Sequence, residues 1–184
     1  MTLTVEKQVV QAERLVYRSS ISFSTAEARL RSSIQPNSTS SPTPWNALVD
    51  REGYDARIKS LLGPHGFMYF HEFNHGFWLP FYKPPTSTVT INGQTRNLNC
   101  KRFILGNPFV AITMIEHDLD AGLCVPVELW LVEEPAGGVK IVYFKPTSLI
   151  ASYEGAKQEL VDAANVLSAK LETLVRWVLR DEAA

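Results

Sequence analysis

Two cysteines, Cys100 and Cys124, are all that the 184 residues contain. A disulfide framework or a zinc cluster needs more of them at set spacings, so these two read as reduced thiols in a core. Long apolar runs are missing as well. None approaches the ~20 residues that cross a bilayer, and the start Met1-Thr-Leu-Thr-Val-Glu-Lys carries no secretory apolar segment. The expectation is a cytoplasmic protein with no membrane partner. Neither charge is in excess, with 18 Lys plus Arg against 19 Asp plus Glu. Without a net field to gather phosphates, nucleic acid is disfavoured as a partner. No Gly-rich phosphate loop, P-loop lysine or Gly-x-Ser-x-Gly elbow occurs, which argues against nucleotide, flavin and serine-hydrolase chemistry. No cofactor is expected.

The length suits one domain over 1–184 with a sizeable core. Arg14–Phe23 has strand composition and runs into Ser24-Thr-Ala-Glu27, a capping-box pattern at a helix start. Ala26, Leu30 and Ile34 then share one helical face. Gln35–Pro44 is rich in Ser, Thr and Pro and reads as a loop. It opens an insertion over about 35–65 whose own short helix carries Tyr54, Ile58, Leu61 and Leu62 and stops at Gly63-Pro64. Strands follow at Phe67–Asn74, Lys101–Gly106, Val125–Val132 and Val139–Phe144, the last two joined through Pro135-Ala-Gly-Gly138. The lengthened 80–98 segment holds Asn92-Gly93, a strong hairpin signal between Thr88–Ile91 and Arg96–Leu98. Asn107-Pro108 predicts a helix start, with the asparagine as cap and proline at the first helical position, although Val110, Ile112, Thr113 and Ile115 prefer strands. Leu160, Ala164, Leu167, Leu171, Leu174 and Val178 repeat at helical spacing and predict one long C-terminal amphipathic helix lying across the sheet. Helices of this kind also pair subunits, which leaves a homodimer open.

His71-Glu-Phe-Asn-His75 matches H-E-x-x-H, the zinc-protease pattern that needs a helix to bring both histidines to one side. The flanking Phe67-Met-Tyr-Phe70 and Gly76 favour a strand instead. Four strand residues span ~13 Å, too far for two ligands that must each reach one zinc at ~2 Å. No metal is expected there. Strand alternation would set Phe67, Tyr69, His71, Phe73 and His75 on one side and Met68, Phe70, Glu72 and Asn74 on the other. His75 closes the strand beside Gly76-Phe-Trp-Leu-Pro-Phe-Tyr82, where Trp78, Phe81 and Tyr82 offer flat walls for an organic ring. The plain alternative is that these histidines and aromatics pack in a core. Glu116-His-Asp-Leu-Asp120 reads as a solvated acidic turn.

Several segments, in order, carry a family resemblance. Arg102-Phe-Ile-Leu-Gly-Asn-Pro108 followed by Gly122-Leu-Cys-Val-Pro-Val127 resembles the core of the domain-of-unknown-function 302 family, where a strand ends in Phe-Gly-Asn-Pro and a Leu-x-x-Pro turn opens a hairpin. Phe70-His-Glu-Phe-Asn-His75 stands where members carry a strand ending in Asp-His: His75 matches the family histidine, and Asn74 replaces the aspartate. Phe144-Lys-Pro146-Thr-Ser-Leu149 resembles the start of the family's helical tail, and Ser22-Phe-Ser-Thr-Ala-Glu-Ala-Arg-Leu30 its first strand-to-helix passage. The resemblance implies a TATA-binding-protein-like α+β fold, a mostly antiparallel sheet of about five strands with helices packed on one face. It implies no reaction, because the family has no general activity.

Three functions stay open at this level. Imidazole moves protons near neutral pH, so His75 as acid and base, with Asn107 holding a developing oxyanion, would make a cofactor-independent isomerase or cyclase for a small aromatic or polyketide-like molecule. His71, Phe73, Trp78, Phe81, Tyr82 and Lys101 would then bind substrate. The alternative is a non-catalytic binding or assembly domain, in which the same pocket merely holds an apolar compound and the histidines are structural. A zinc hydrolase using His71, Glu72 and His75 is the third.

Overall fold

The computed structural model describes residues 2–35 and 50–181. Most of the Gln35–Pro44 loop, expected from its Ser, Thr and Pro content, lies outside them. Chain order runs β1 (Arg14–Ser19), α1 (Phe23–Ile34), α2 (Arg51–Leu61), β2 (Met68–Asn74), α3 (Leu79–Tyr82), β3 (Thr88–Ile91), β4 (Gln94–Asn97), β5 (Cys100–Gly106), α4 (Pro108–Ile115), β6 (Val127–Glu133), β7 (Val139–Phe144), α5 (Pro146–Ile150) and α6 (Gln158–Leu179). Single 3-10 turns at His75–Phe77 and Pro85–Ser87 and a longer one at Leu119–Cys124 join them.

Five strands form one antiparallel sheet in the order β1-β7-β6-β5-β2. Strand alternation gives it two unlike faces. Phe103, Leu105, Leu129, Leu131, Val139 and Ile141 are at most 1 % exposed and meet α1 and α6 in one core. The C-terminal stripe behaves as its spacing predicts. Leu160, Ala164, Leu171, Leu174 and Val178 are fully buried and Leu167 nearly so, each leucine contributing about 1.5–3 kcal/mol. The stripe is thus consumed by the sheet and leaves little for a partner; Val166 is the one large apolar side chain of α6 that stands exposed.

Two local expectations shift. The cap of α1 is Ser22, whose hydroxyl accepts from the Thr25 amide, two residues before the expected box. Glu27 is drawn away from the helix start by two cations, so it cannot complete that box. In β2 the register slips between Tyr69 and His71. The extra residue, Phe70, shifts the phase of alternation. Tyr69 therefore packs against the core, whereas His71 and Phe73, paired with Ile104 and Arg102, share the other face. The expected common side for Tyr69 and His71 is lost to this bulge.

Asn92-Gly93 turns the β3-β4 hairpin with φ of 51° and 77°, the left-handed pair that a two-residue turn of this kind demands. Helix α2 ends against α1: at Gly63 a Cβ would lie 1.7 Å from the Ser33 carbonyl oxygen, so only glycine permits the approach.

Candidate functional site

β2 and β5 run antiparallel, with Met68 opposite Gly106 and Asn74 opposite Lys101. The end of one strand therefore lies beside the start of the other. His75 follows Asn74 at the Cys100 end of β5, while Asn107 follows Gly106 at the far end, roughly 20 Å away at ~3.3 Å per residue. The structure does not bring the two together. His75 sits between indoles instead, its ring 4.8 Å from that of Trp130 and 5.5 Å from that of Trp78. Trp78 meets Tyr82 edge-on at 5.9 Å, and His71 meets Phe73 at 4.7 Å. Phe81 and Tyr82 project from α3, 83 % and 76 % exposed. The predicted aromatics thus gather on and beside the open sheet face, with Phe77 as exposed as Phe81 and Tyr82.

Lys101 belongs to the other side. Its ammonium donates to Glu27 at 2.5 Å, and Arg31 bridges that carboxylate at 2.7 Å to Glu72 at 2.8 Å. Burial alone would raise the Glu27 carboxyl, but the hydrogen bonds from Lys101 and Arg31 outweigh it and hold the group below the usual carboxylate range. Two cations and two anions balance here, tying α1 to β2 and β5. Lys101 is spent in that network rather than turned toward the histidines. The histidines and Glu72 also fail to converge: β2 is a strand, and among the described residues no three His, Cys, Asp or Glu side chains form a group that would hold a metal.

Asn107 has a different setting. As cap of α4 its side-chain oxygen accepts from the Phe109 amide at 2.9 Å, and its amide nitrogen donates to the Gly66 carbonyl at 2.9 Å. Both ends of the side chain are engaged. Beside it opens a cleft of about 200 Å³ between the end of β5, α4 and the Val125-Pro126 turn, whose peptide bond is cis. Phe70, Val110, Met114, Val125, Pro126 and Leu167 supply its walls. A Cβ at Gly106 would stand 3.1 Å from the Pro126 ring and 3.3 Å from the Phe70 ring, so glycine there lets both close on the cleft. Among the described residues that line it, no side chain is titratable. Sequence reasoning missed this cleft, although its Gly106-Asn-Pro108 rim lies inside the Arg102–Pro108 stretch that carries the family resemblance.

A family model described as "Domain of unknown function DUF302" matches residues 49–176. The chain belongs to the DUF302 family. That span holds every strand of the sheet except β1, along with α2. Among solved structures the DUF302 chain is similar to "uncharacterized conserved protein DUF302 from Bacillus stearothermophilus". The identity is 18 %, the match covers 91 % of this chain and 98 % of that one, and the TM-score is 0.57. At that identity the likeness is one of fold. Comparison with curated proteins gave no match. Within the described residues of this DUF302 protein, no helix is long and apolar enough to cross a membrane.

Proposed function

We propose that this DUF302 protein is a binding domain for a small apolar molecule, held in the cleft beside Asn107. The observation that carries the reading is the cleft's chemistry: an apolar volume of about 200 Å³ whose described lining residues offer no acid or base. Binding sites of this kind combine apolar walls with a few fixed polar groups. A buried apolar space of about 150 Å³ already accepts one benzene ring. The fitting ligand is therefore a single aromatic ring or a short branched chain, oriented at the rim by backbone groups near Asn107. Proton-transfer catalysis by His75 with Asn107 would need one substrate to touch both, and the β2-β5 register separates them by the length of a strand.

Ligand-observed NMR with toluene and indole, on the full chain and on Ala111→Leu, tests this. Ala111 lines the cleft, and the added side chain fills it. Saturation transfer to toluene in the wild type, reduced at least tenfold in Ala111→Leu at unchanged melting temperature, is the expected result. Equal transfer in both proteins, or none in either, refutes the reading.

A further inference from the structure

The helices cover one face of the sheet, and cross-strand register writes out what the other face presents. Phe73, Arg102, Trp130, Val142 and Val16 are successive partners across all five strands. A second row starts with His71, Ile104 and Glu128 and ends with the partners Phe144 and Arg14. A third holds Cys100, Val132, Lys140 and Arg18. Aromatic and aliphatic side chains surround the Arg102–Glu128 pair on this face, and the 75–82 turn extends it, with His75 resting on Trp130.

We infer that this open face and its aromatic turn are buried against a second copy of the chain.

Area is the first argument. Phe73, Phe77, Trp78, Phe81, Tyr82 and Phe144 are 46, 78, 46, 83, 76 and 44 % exposed. At about 200 Å² for a whole aromatic side chain, they leave on the order of 700 Å² of ring surface in water. The largest apolar patch of a typical monomer is ~300–600 Å². A stable interface buries about 800 Å² per partner. These rings, with Val16 and the partly exposed Ile104 and Val132 between them, reach that size.

Charge is the second. A face of one sign would repel its own copy, and this one is neutralised from within. Arg102 pairs with Glu128 and lies 5.8 Å over the Phe73 ring, and Glu134 receives both Arg18 at 3.2 Å and Lys140 at 3.4 Å. Arg14 is the one cation of the three rows without an ion pair among the described residues. Charges already paired lose less on leaving water than isolated ones. A two-fold pairing applies the same patch twice and closes, so no apolar surface is left to propagate into a fibre. The inference does not rest on the cleft, which lies beyond the end of β5.

Sedimentation equilibrium of the full chain between 1 and 100 µM, alongside the double variant Phe73→Glu/Phe144→Glu, decides it. Both side chains are nearly half exposed, so the variant keeps its core, and circular dichroism with a thermal melt confirms that it folds. The expected result is a mass of twice 20.6 kDa for the wild type and at least a hundredfold weaker association in the variant. A wild type that stays monomeric at 100 µM, or a variant that associates as tightly as the wild type, overturns the inference.

Discussion

Replacing Lys101 by Met should destabilise the fold by about 2–3 kcal/mol. The side chains of Lys101 and Glu27 are only 17 % and 18 % exposed, which places their pair between exposed bridges, worth ~0–1 kcal/mol, and buried ones, whose disruption costs ~3–5 kcal/mol. Methionine keeps the aliphatic stem and removes the charge. Glu27 and Glu72 are then left with Arg31 alone. For a chain of this size the loss corresponds to a fall of roughly 5–10 °C in melting temperature. The effect also carries a pH signature. The folded Glu27 carboxyl lies below its ordinary value, so its contribution is complete above the unfolded value near pH ~4.3 and fades as pH falls through the folded one. Urea unfolding at pH 7 should therefore show the full gap between wild type and Lys101→Met, and the gap should narrow below about pH 4. Arg18→Met serves as the control, because that arginine is 60 % exposed in its pair with Glu134 and its loss should stay under ~1 kcal/mol. A Lys101→Met gap below 0.5 kcal/mol at pH 7, or one that persists undiminished at pH 3.5, would refute the reasoning.

Gly63→Ala should cost at least about 3 kcal/mol, because the new Cβ meets backbone atoms of Ser33 that cannot swing aside; Gly122→Ala, with nothing within 4 Å, should melt within a degree or two of the wild type. Asn107→Ala should lose about 2 kcal/mol, roughly 1 for the α4 cap and 1 for the abandoned Gly66 carbonyl. Asn107→Ser should restore the cap alone, so chemical denaturation ranking Ser no better than Ala would show that the cap contributes nothing.

The elements legible in the sequence were those whose signals are local. β7 spans the expected Val139–Phe144, the Asn92-Gly93 turn formed the expected hairpin, and Asn107 caps α4 despite the strand-preferring residues that follow. The apolar stripe of α6 was readable because one face of a helix meets one sheet. What escaped was set by partners distant in the chain. Nothing near Glu27 announces Lys101, so its recruitment away from the α1 cap could not be read. The separation of His75 from Asn107 follows from the antiparallel pairing of β2 with β5, two strands that a hairpin divides in sequence. The cleft needs α4, α6 and the Pro126 turn together, and no window of residues contains all three.

The extra residue in β2 has a consequence for how the strand tolerates change. Before the bulge, Tyr69 answers to the packed interior; after it, His71 and Phe73 answer to the uncovered face, and Phe70 itself walls the cleft. Three adjoining stretches of one strand are thereby uncoupled. The open face can be rewritten without disturbing the core, the interior can be repacked without touching the face, and a substitution at Phe70 reaches the cleft alone.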